Sequence, residues 1–183
     1  MNREDTLKAI QEKVKNVNLI KHMLATEAIM RALAKRFGED EEVWGLTGLL
    51  HDIDVELTQE RPSDHSRIGA DLAAELGASP EVCHAIMCHN WAHGVPAVTL
   101  LDRALLCTDP LTGLITAGAL VRPDKKLAGL TAESLMKRFG ERRFAAGASR
   151  EQIASCRDIG LTLDEFIAMG LEAMQGIADD LGL

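Results

Sequence analysis

Tyrosine is absent from the 183 residues, and the other aromatics amount to two Trp and four Phe. A protein that binds single strands by stacking bases on aromatic platforms would need more. Positive charge is also short. Twenty Lys and Arg stand against 28 Asp and Glu, a net of −8, which excludes a general nucleic-acid polymer or an anionic membrane as the expected partner. The four cysteines (Cys83, Cys88, Cys107, Cys156) include no C-x-x-C pair, and the charged start Met1-Asn2-Arg3-Glu4-Asp5 lacks the apolar core of an export signal. Reduced thiols and a cytoplasmic location are therefore expected. The longest weakly charged stretch, Ala104 to Val121, is interrupted by Asp109-Pro110 and falls short of a membrane span. Alternating β-branched runs, internal repeats, low-complexity tracts and long linkers are missing too. Histidine is missing from one half only: all six (His22, His51, His65, His84, His89, His93) lie in the first 93 residues.

What is present is helical periodicity nearly throughout. Leu7, Ile10, Val14 and Val17 share a helical face, and Leu19 to Phe37 forms a second helix that Gly38 stops. Glu41 to about His51 is a third. After a polar loop with Pro62, a helix runs from Ser63 or Asp64 to Gly77, and Ser79-Pro80 is a cap and first-turn proline opening another toward His89. Asn90 to Pro96 is a break. Val98 to Val121 reads as two helices split at Asp109-Pro110, because an aspartate before proline is a common helix start. Thr131 opens a short helix closed by Gly140, and Ser149-Arg150-Glu151-Gln152 and Thr162-Leu163-Asp164-Glu165 are capping-box sequences. The expectation is one all-α domain over residues 1–183, with a helical extension from about Arg122.

Charge is uneven in that extension. Residues 121–150 carry eight basic side chains (Arg122, Lys125, Lys126, Lys137, Arg138, Arg142, Arg143, Arg150) against three acidic ones. Such a run is usually a solvated face; its functional reading is a set of cations for a phosphorylated ligand.

His51-Asp52 is the first candidate for chemistry. Neighbouring helical positions point about 100° apart, yet at a helix end two such side chains can straddle one cation, where the backbone dipole also favours positive charge. Asp54 and Glu56 add carboxylates nearby. His22 lies on an otherwise apolar helix, where a histidine is more often hydrogen-bonded than a ligand, and Asp109 has its reading as a helix cap. Glu27 is either an exposed helix acid or a carboxylate orienting His22. His84 shares helical spacing with Cys88, but no C-x-x-C announces structural zinc, so His84 and His93 receive no role. In order along the chain, His22, His51, Asp52 and Asp109 form the series His … His-Asp … Asp.

That series resembles the HD superfamily of metal-dependent phosphohydrolases, an all-α helical-bundle fold. The segments that carry the resemblance are Lys21-His22-Met23, Gly48-Leu49-Leu50-His51-Asp52-Ile53-Asp54 and Leu106-Cys107-Thr108-Asp109-Pro110-Leu111. Asp64-His65-Ser66-Arg67-Ile68-Gly69-Ala70 and Ala85-Ile86-Met87-Cys88-His89-Asn90 resemble further histidine segments of the branch with two metals. The core resemblance covers about residues 18–121. The extension, through Arg122-Pro123-Asp124-Lys125-Lys126 and Phe144-Ala145-Ala146-Gly147, is similar to stand-alone bacterial HD proteins described only as predicted hydrolases.

The resemblance implies His22, His51, Asp52 and Asp109 on one metal, with Asp52 bridging to a second held by His65 and His89; His51 and Asp52 are then the catalytic pair. One or two divalent ions are implied, with iron, manganese, zinc and magnesium all open. Many members carry Gly-Lys shortly after the His-Asp pair; this chain has Ile53-Asp54-Val55-Glu56 instead, leaving Arg67, Arg122, Lys125 and Lys126 as the candidate substrate cations. The absence of Tyr and the single His89-Asn90 exclude the cyclic-dinucleotide branch. The implied activity is hydrolysis of a small phosphorylated metabolite or nucleotide. Its rivals are a di-iron oxygenase on the same ligands and a non-catalytic HD binding or regulatory module; homo-oligomerisation is left open.

Overall fold

The structure, a computed structural model, describes residues 2–183; Met1, the first residue of the N-terminal segment considered above, lies outside them. Ten α-helices follow one another: α1 (Arg3–Lys13), α2 (Val17–Phe37), α3 (Glu41–Leu50), α4 (Arg67–Glu75), α5 (Pro80–His89), α6 (Leu100–Leu120), α7 (Ala132–Phe139), α8 (Arg150–Ala154), α9 (Leu163–Gln175) and α10 (Ala178–Leu181). No strand occurs among the described residues, so the chain is an all-α bundle.

Local chemistry sets most boundaries. Asn16 and Asp40 accept the first free amides of α2 and α3 on their side-chain oxygens, and Gly38 ends α2 in the left-handed region at φ 73°. Ser79 caps α5 ahead of Pro80, and Thr162 with Glu165 completes a reciprocal capping box on α9. Ser149 makes only the forward half of its box, accepting from the Gln152 amide.

The long helices α2 and α6 form the centre, with α3, α5, α8 and α9 packed against them. Met23, Ile29 and Leu33 of α2 share one apolar cluster with Leu105, Leu111 and Ile115 of α6 and Phe166 of α9, all fully buried. Burying side chains of that size stabilises by about 1.5–3 kcal/mol each. Gly48 lets α3 approach α2: a Cβ there would lie 2.9 Å from the backbone of Thr26 and Glu27. The extension packs back into the same apolar cluster through Leu127, Leu135, Ile153 and Ile167.

Three local expectations are corrected. Val14 caps the end of α1 and Val17 begins α2, so the first helical face stops at Ile10. α4 starts only at Arg67, because Ser66 sits at φ 68° and the chain before it makes a 3-10 turn at Pro62–Asp64. Most consequential, α6 does not split: Pro110 lies inside one 21-residue helix. The proline forfeits its amide bond to the Leu106 carbonyl, a cost of about 3 kcal/mol. Burial of Leu105, Cys107, Leu111, Leu114 and Ile115 offsets it.

Candidate metal centre

Six side chains converge from five places in this bundle. His22 comes from the second turn of α2, His51 caps the end of α3, and Asp52 follows in the turn. His65 lies between the 3-10 turn and α4, His89 is the last residue of α5, and Asp109 stands midway along α6. The continuity of α6 removes Asp109 from its capping role and frees its carboxylate.

The donor atoms fall into two groups. His22 Nε2 lies 3.1 Å from His51 Nε2, 3.3 Å from Asp52 Oδ2 and 3.2 Å from Asp109 Oδ1. His51 Nε2 is 3.5 Å from Asp52 Oδ2 and 3.9 Å from Asp109 Oδ1. The other oxygen, Asp52 Oδ1, faces His65 Nε2 at 3.6 Å and His89 Nε2 at 3.5 Å. A cation with bonds of about 2.1 Å holds adjacent ligands about 3.0–3.5 Å apart, so both spacings fit a shared-carboxylate pair of sites.

The outward ring nitrogens explain why the inward ones are free. His51 Nδ1 donates to the Gly48 carbonyl at 2.8 Å and His89 Nδ1 to the Ile86 carbonyl at 2.6 Å. Carbonyls only accept, so each Nδ1 carries the proton and each Nε2 a lone pair. His65 Nδ1 lies 3.0 Å from the buried Asp54 Oδ1. His22 Nδ1 lies 2.8 Å from the Thr112 hydroxyl, which itself donates to the Asp109 carbonyl and so accepts from the ring. Four Nε2 atoms and two carboxylates thus face one space. Outer partners of this kind fix the orientation of ligating imidazoles.

Electrostatics reports the same demand for positive charge. Burial works against a proton on His22, but hydrogen bonds to Asp109 and Asp52 outweigh it and raise its pKa to about 10. Burial of His51 dominates and lowers its pKa to about 4. Desolvation also opposes charge on Asp52, yet the surrounding imidazoles hold its pKa well below the carboxylate range. A proton on His22 is the protein's own substitute for a cation.

Several residues act in ways the sequence did not disclose. Asp54, fully buried, orients His65 and also accepts from the Ser66 and Gly69 amides at 2.8 and 2.9 Å. His93 donates through Nε2 to the His65 carbonyl, as does the Asn90 amide, so His93 pins the His65 loop. Glu56 instead caps the α1–α2 turn through the Lys15 and Asn16 amides. Glu27 is neither exposed nor at the centre: it is buried and paired with Arg3 and Arg31.

Three cavities open around the centre. One of about 570 Å³ runs from His22 along Thr112, Thr116 and Leu120 to Leu183, with Lys21 and Asn18 in its wall. A second, about 330 Å³, lies between His22, Asp109 and Ala145 to Ala148; a third, about 270 Å³, exposes His65, His89 and Gln152. Of the four candidate substrate cations, none lines these cavities. Arg67 is exposed at the start of α4, Lys125 sits in an exposed turn, and Arg122 pairs with Asp124 and the Gly129 carbonyl. Lys126 Nζ reaches the Gly182 carbonyl at 3.4 Å, beside the wall of the largest cavity. Lys21, which the sequence reading passed over, lines it directly. Arg150 donates to the carbonyls of Phe139, Ala145, Ala148 and Phe144, holding the loop that walls the second cavity.

Several curated proteins are similar in sequence to this chain. A ribonuclease Y of Sulfurovum sp. (strain NBC37-1) is 30% identical over 138 residues, 73% of this chain but 26% of that protein. Ribonuclease Y of Oleidesulfovibrio alaskensis is 32% identical over 96 residues, 52% of this chain and 18% of the relative. That of Desulforudis audaxviator is 37% identical over 73 residues, 40% and 14% respectively. The chain therefore spans about a quarter or less of these relatives' length. No solved structure gives a significant match. The HD domain family matches residues 19–113, more than half of the chain and the stretch that contributes all six converging side chains, and the chain belongs to that family.

Proposed function

We propose that this protein is a metal-dependent phosphohydrolase acting on a small phosphorylated metabolite or nucleotide. The observation that carries the reading is the set of four Nε2 atoms, from His22, His51, His65 and His89, turned toward Asp52 and Asp109 by partners that occupy every Nδ1. His22, His51, Asp109 and Asp52 Oδ2 would hold one divalent ion, and His65, His89 and Asp52 Oδ1 a second. The nitrogen and carboxylate set suits iron, manganese or zinc, and magnesium less well. When bound, such an ion lowers the pKa of a coordinated water and offsets charge on phosphoryl oxygens.

The chain supplies the remainder. Asp52 aligns both ligand sets through one carboxylate, and the buried Gly48 and Ile86 carbonyls keep His51 and His89 from turning away. Lys21 at the wall of the largest cavity is placed to meet an anionic group, while Thr112, Thr116 and Leu120 leave room for an uncharged portion. The acidic surface elsewhere favours a small ligand that fits this cavity over a long polyanion. The loop at Ala145 to Ala148 belongs to the extension, so the segment after Arg122 completes the site and is read as part of one domain.

The test is phosphate release by the full chain loaded separately with Fe²⁺, Mn²⁺, Zn²⁺ or Mg²⁺, using a generic phosphomonoester, a nucleotide panel and an oligoribonucleotide. Turnover of the small esters, lost in Asp52→Ala with the fold retained, supports the reading. Cleavage of the oligoribonucleotide alone replaces the substrate class with RNA, in keeping with the relatives' name. Oxygen uptake with a polyol or phosphonate, or metal bound with nothing turned over, overturns the hydrolase.

A further inference from the structure

A second cluster of donors lies on the same two helices but apart from the centre. His84 and Cys88 are one turn apart on α5, and Asp102 is the third residue of α6. One ligand atom from each lies within 4.8 Å of the other two. Cys88 and Asp102 are buried, and the His84 side chain is 38% exposed.

The polar atoms here are incompletely satisfied. Asp102 Oδ2 accepts from the Val98 and Thr99 amides at 2.9 Å each, closing the capping box of α6. Asp102 Oδ1, equally buried, has no hydrogen-bond partner. His84 Nδ1 lies 3.0 Å from Asp102 Oδ2 but without the alignment of a hydrogen bond, and it too is buried and unpartnered. Cys88 Sγ meets the Ala85 carbonyl of its own helix at 3.5 Å. Buried polar atoms left unpaired in a native fold are rare, and two of them on residues grouped with one thiol call for a ligand that all three residues can share.

We propose that His84, Cys88 and Asp102 form a second metal site, of sulfur, nitrogen and oxygen donors, for a zinc-type cation that clips α5 to the start of α6. Bonds of about 2.3 Å to sulfur and about 2.0–2.2 Å to nitrogen and oxygen bring donors to tetrahedral separation with side-chain shifts only. A thiolate and an imidazole select a borderline-soft ion over magnesium or calcium, which take oxygen ligands. The exposed edge of His84 leaves the fourth corner to water. His89 follows Cys88 but points about 100° round the helix, toward Asp52, so the two sites use different faces of α5.

Cobalt alone is the probe, because sulfur ligation gives a thiolate-to-cobalt charge-transfer band that the histidine–carboxylate centre lacks. The 183-residue Asp52→Ala chain, stripped of metal, is titrated with Co²⁺ and then with Zn²⁺. The expected result is a charge-transfer band saturating at about one equivalent per chain and abolished by zinc. In the same background, Cys88→Ala and His84→Ala each remove the band or weaken cobalt binding by at least about 10-fold, while Cys83, Cys107 and Cys156 remain. Should Cys88→Ala fail to fold, the half-exposed His84→Ala decides. No band in the parent, or an undiminished band in either variant, overturns the site and leaves Asp102 as the cap of α6 alone.

Discussion

Asp54 holds His65 from behind: its Oδ1 lies 3.0 Å from His65 Nδ1, while its Oδ2 gathers the Ser66 and Gly69 amides. One buried carboxylate thus orients an imidazole and stabilises the left-handed Ser66 beside it. Asp54→Asn keeps the shape but loses the charge and two good acceptor positions. Metal analysis should show the His65–His89 site weakened about 10–100-fold, with the His22–His51 site retained. Equal loss at both sites would show that Asp54 supports the fold as a whole and not His65 in particular.

His22 gives the metal-free protein a pH signature. Its pKa, raised to about 10 in the fold, exceeds the unfolded value of about 6.5, so its stabilising effect is complete below pH 6.5 and disappears as the pH rises toward 10. Binding a cation at neutral pH must displace that proton. Calorimetry in buffers of different ionisation enthalpy should register release of about one proton per chain, absent in His22→Gln. Proton uptake, or none, would contradict the charge placed on His22.

Gly48 sets the α2–α3 distance, and therefore the His22–His51 distance. Gly48→Ala introduces a Cβ 2.9 Å from backbone atoms of Thr26 and Glu27, which no rotamer change relieves. Urea unfolding should show a loss of about 1–3 kcal/mol. Activity should fall further than stability, because the Gly48 carbonyl also holds His51 Nδ1.

Arg150 is expected to act on substrate affinity without touching substrate. Arg150→Ala removes guanidinium bonds to the Phe144, Ala145 and Ala148 carbonyls and loosens the wall of the cavity beside Asp109. Stability should drop by about 2 kcal/mol. Steady-state kinetics should show KM rising more than kcat falls, with metal content unchanged; the reverse split would place Arg150 in the chemistry.

Caps and stops were legible because they are local. Asn16, Asp40, Ser79 and Thr162 each satisfy amides within three residues, and Gly38 needs only its own φ. The His … His-Asp … Asp order was legible as well, although nothing in spacing alone says that residues 22 and 109 meet. Pro110 misled because the local rule for Asp-Pro is a helix start, whereas the outcome is decided by burial over the whole length of α6. The cations misled for a related reason. Charge clustering located Arg122, Lys125 and Lys126, but Arg122 turns to Asp124 and Gly129, and the cavity is lined instead by Lys21, a single cation beside His22 in the first half of α2. Asp54 and His93 are positioned through contacts 11 and 28 residues away, beyond any motif window.

The tethering of every Nδ1 has a kinetic corollary. With every Nδ1 tethered and, in the proposed centre, every Nε2 committed to a cation, no ring there is free to hand a proton across. In the proposed hydrolysis, the departing group must then draw its proton from bulk solvent or from its own substrate. Such a centre discriminates by leaving-group basicity: phosphoric anhydrides and aryl esters, which depart readily as anions, should outpace simple alkyl phosphates.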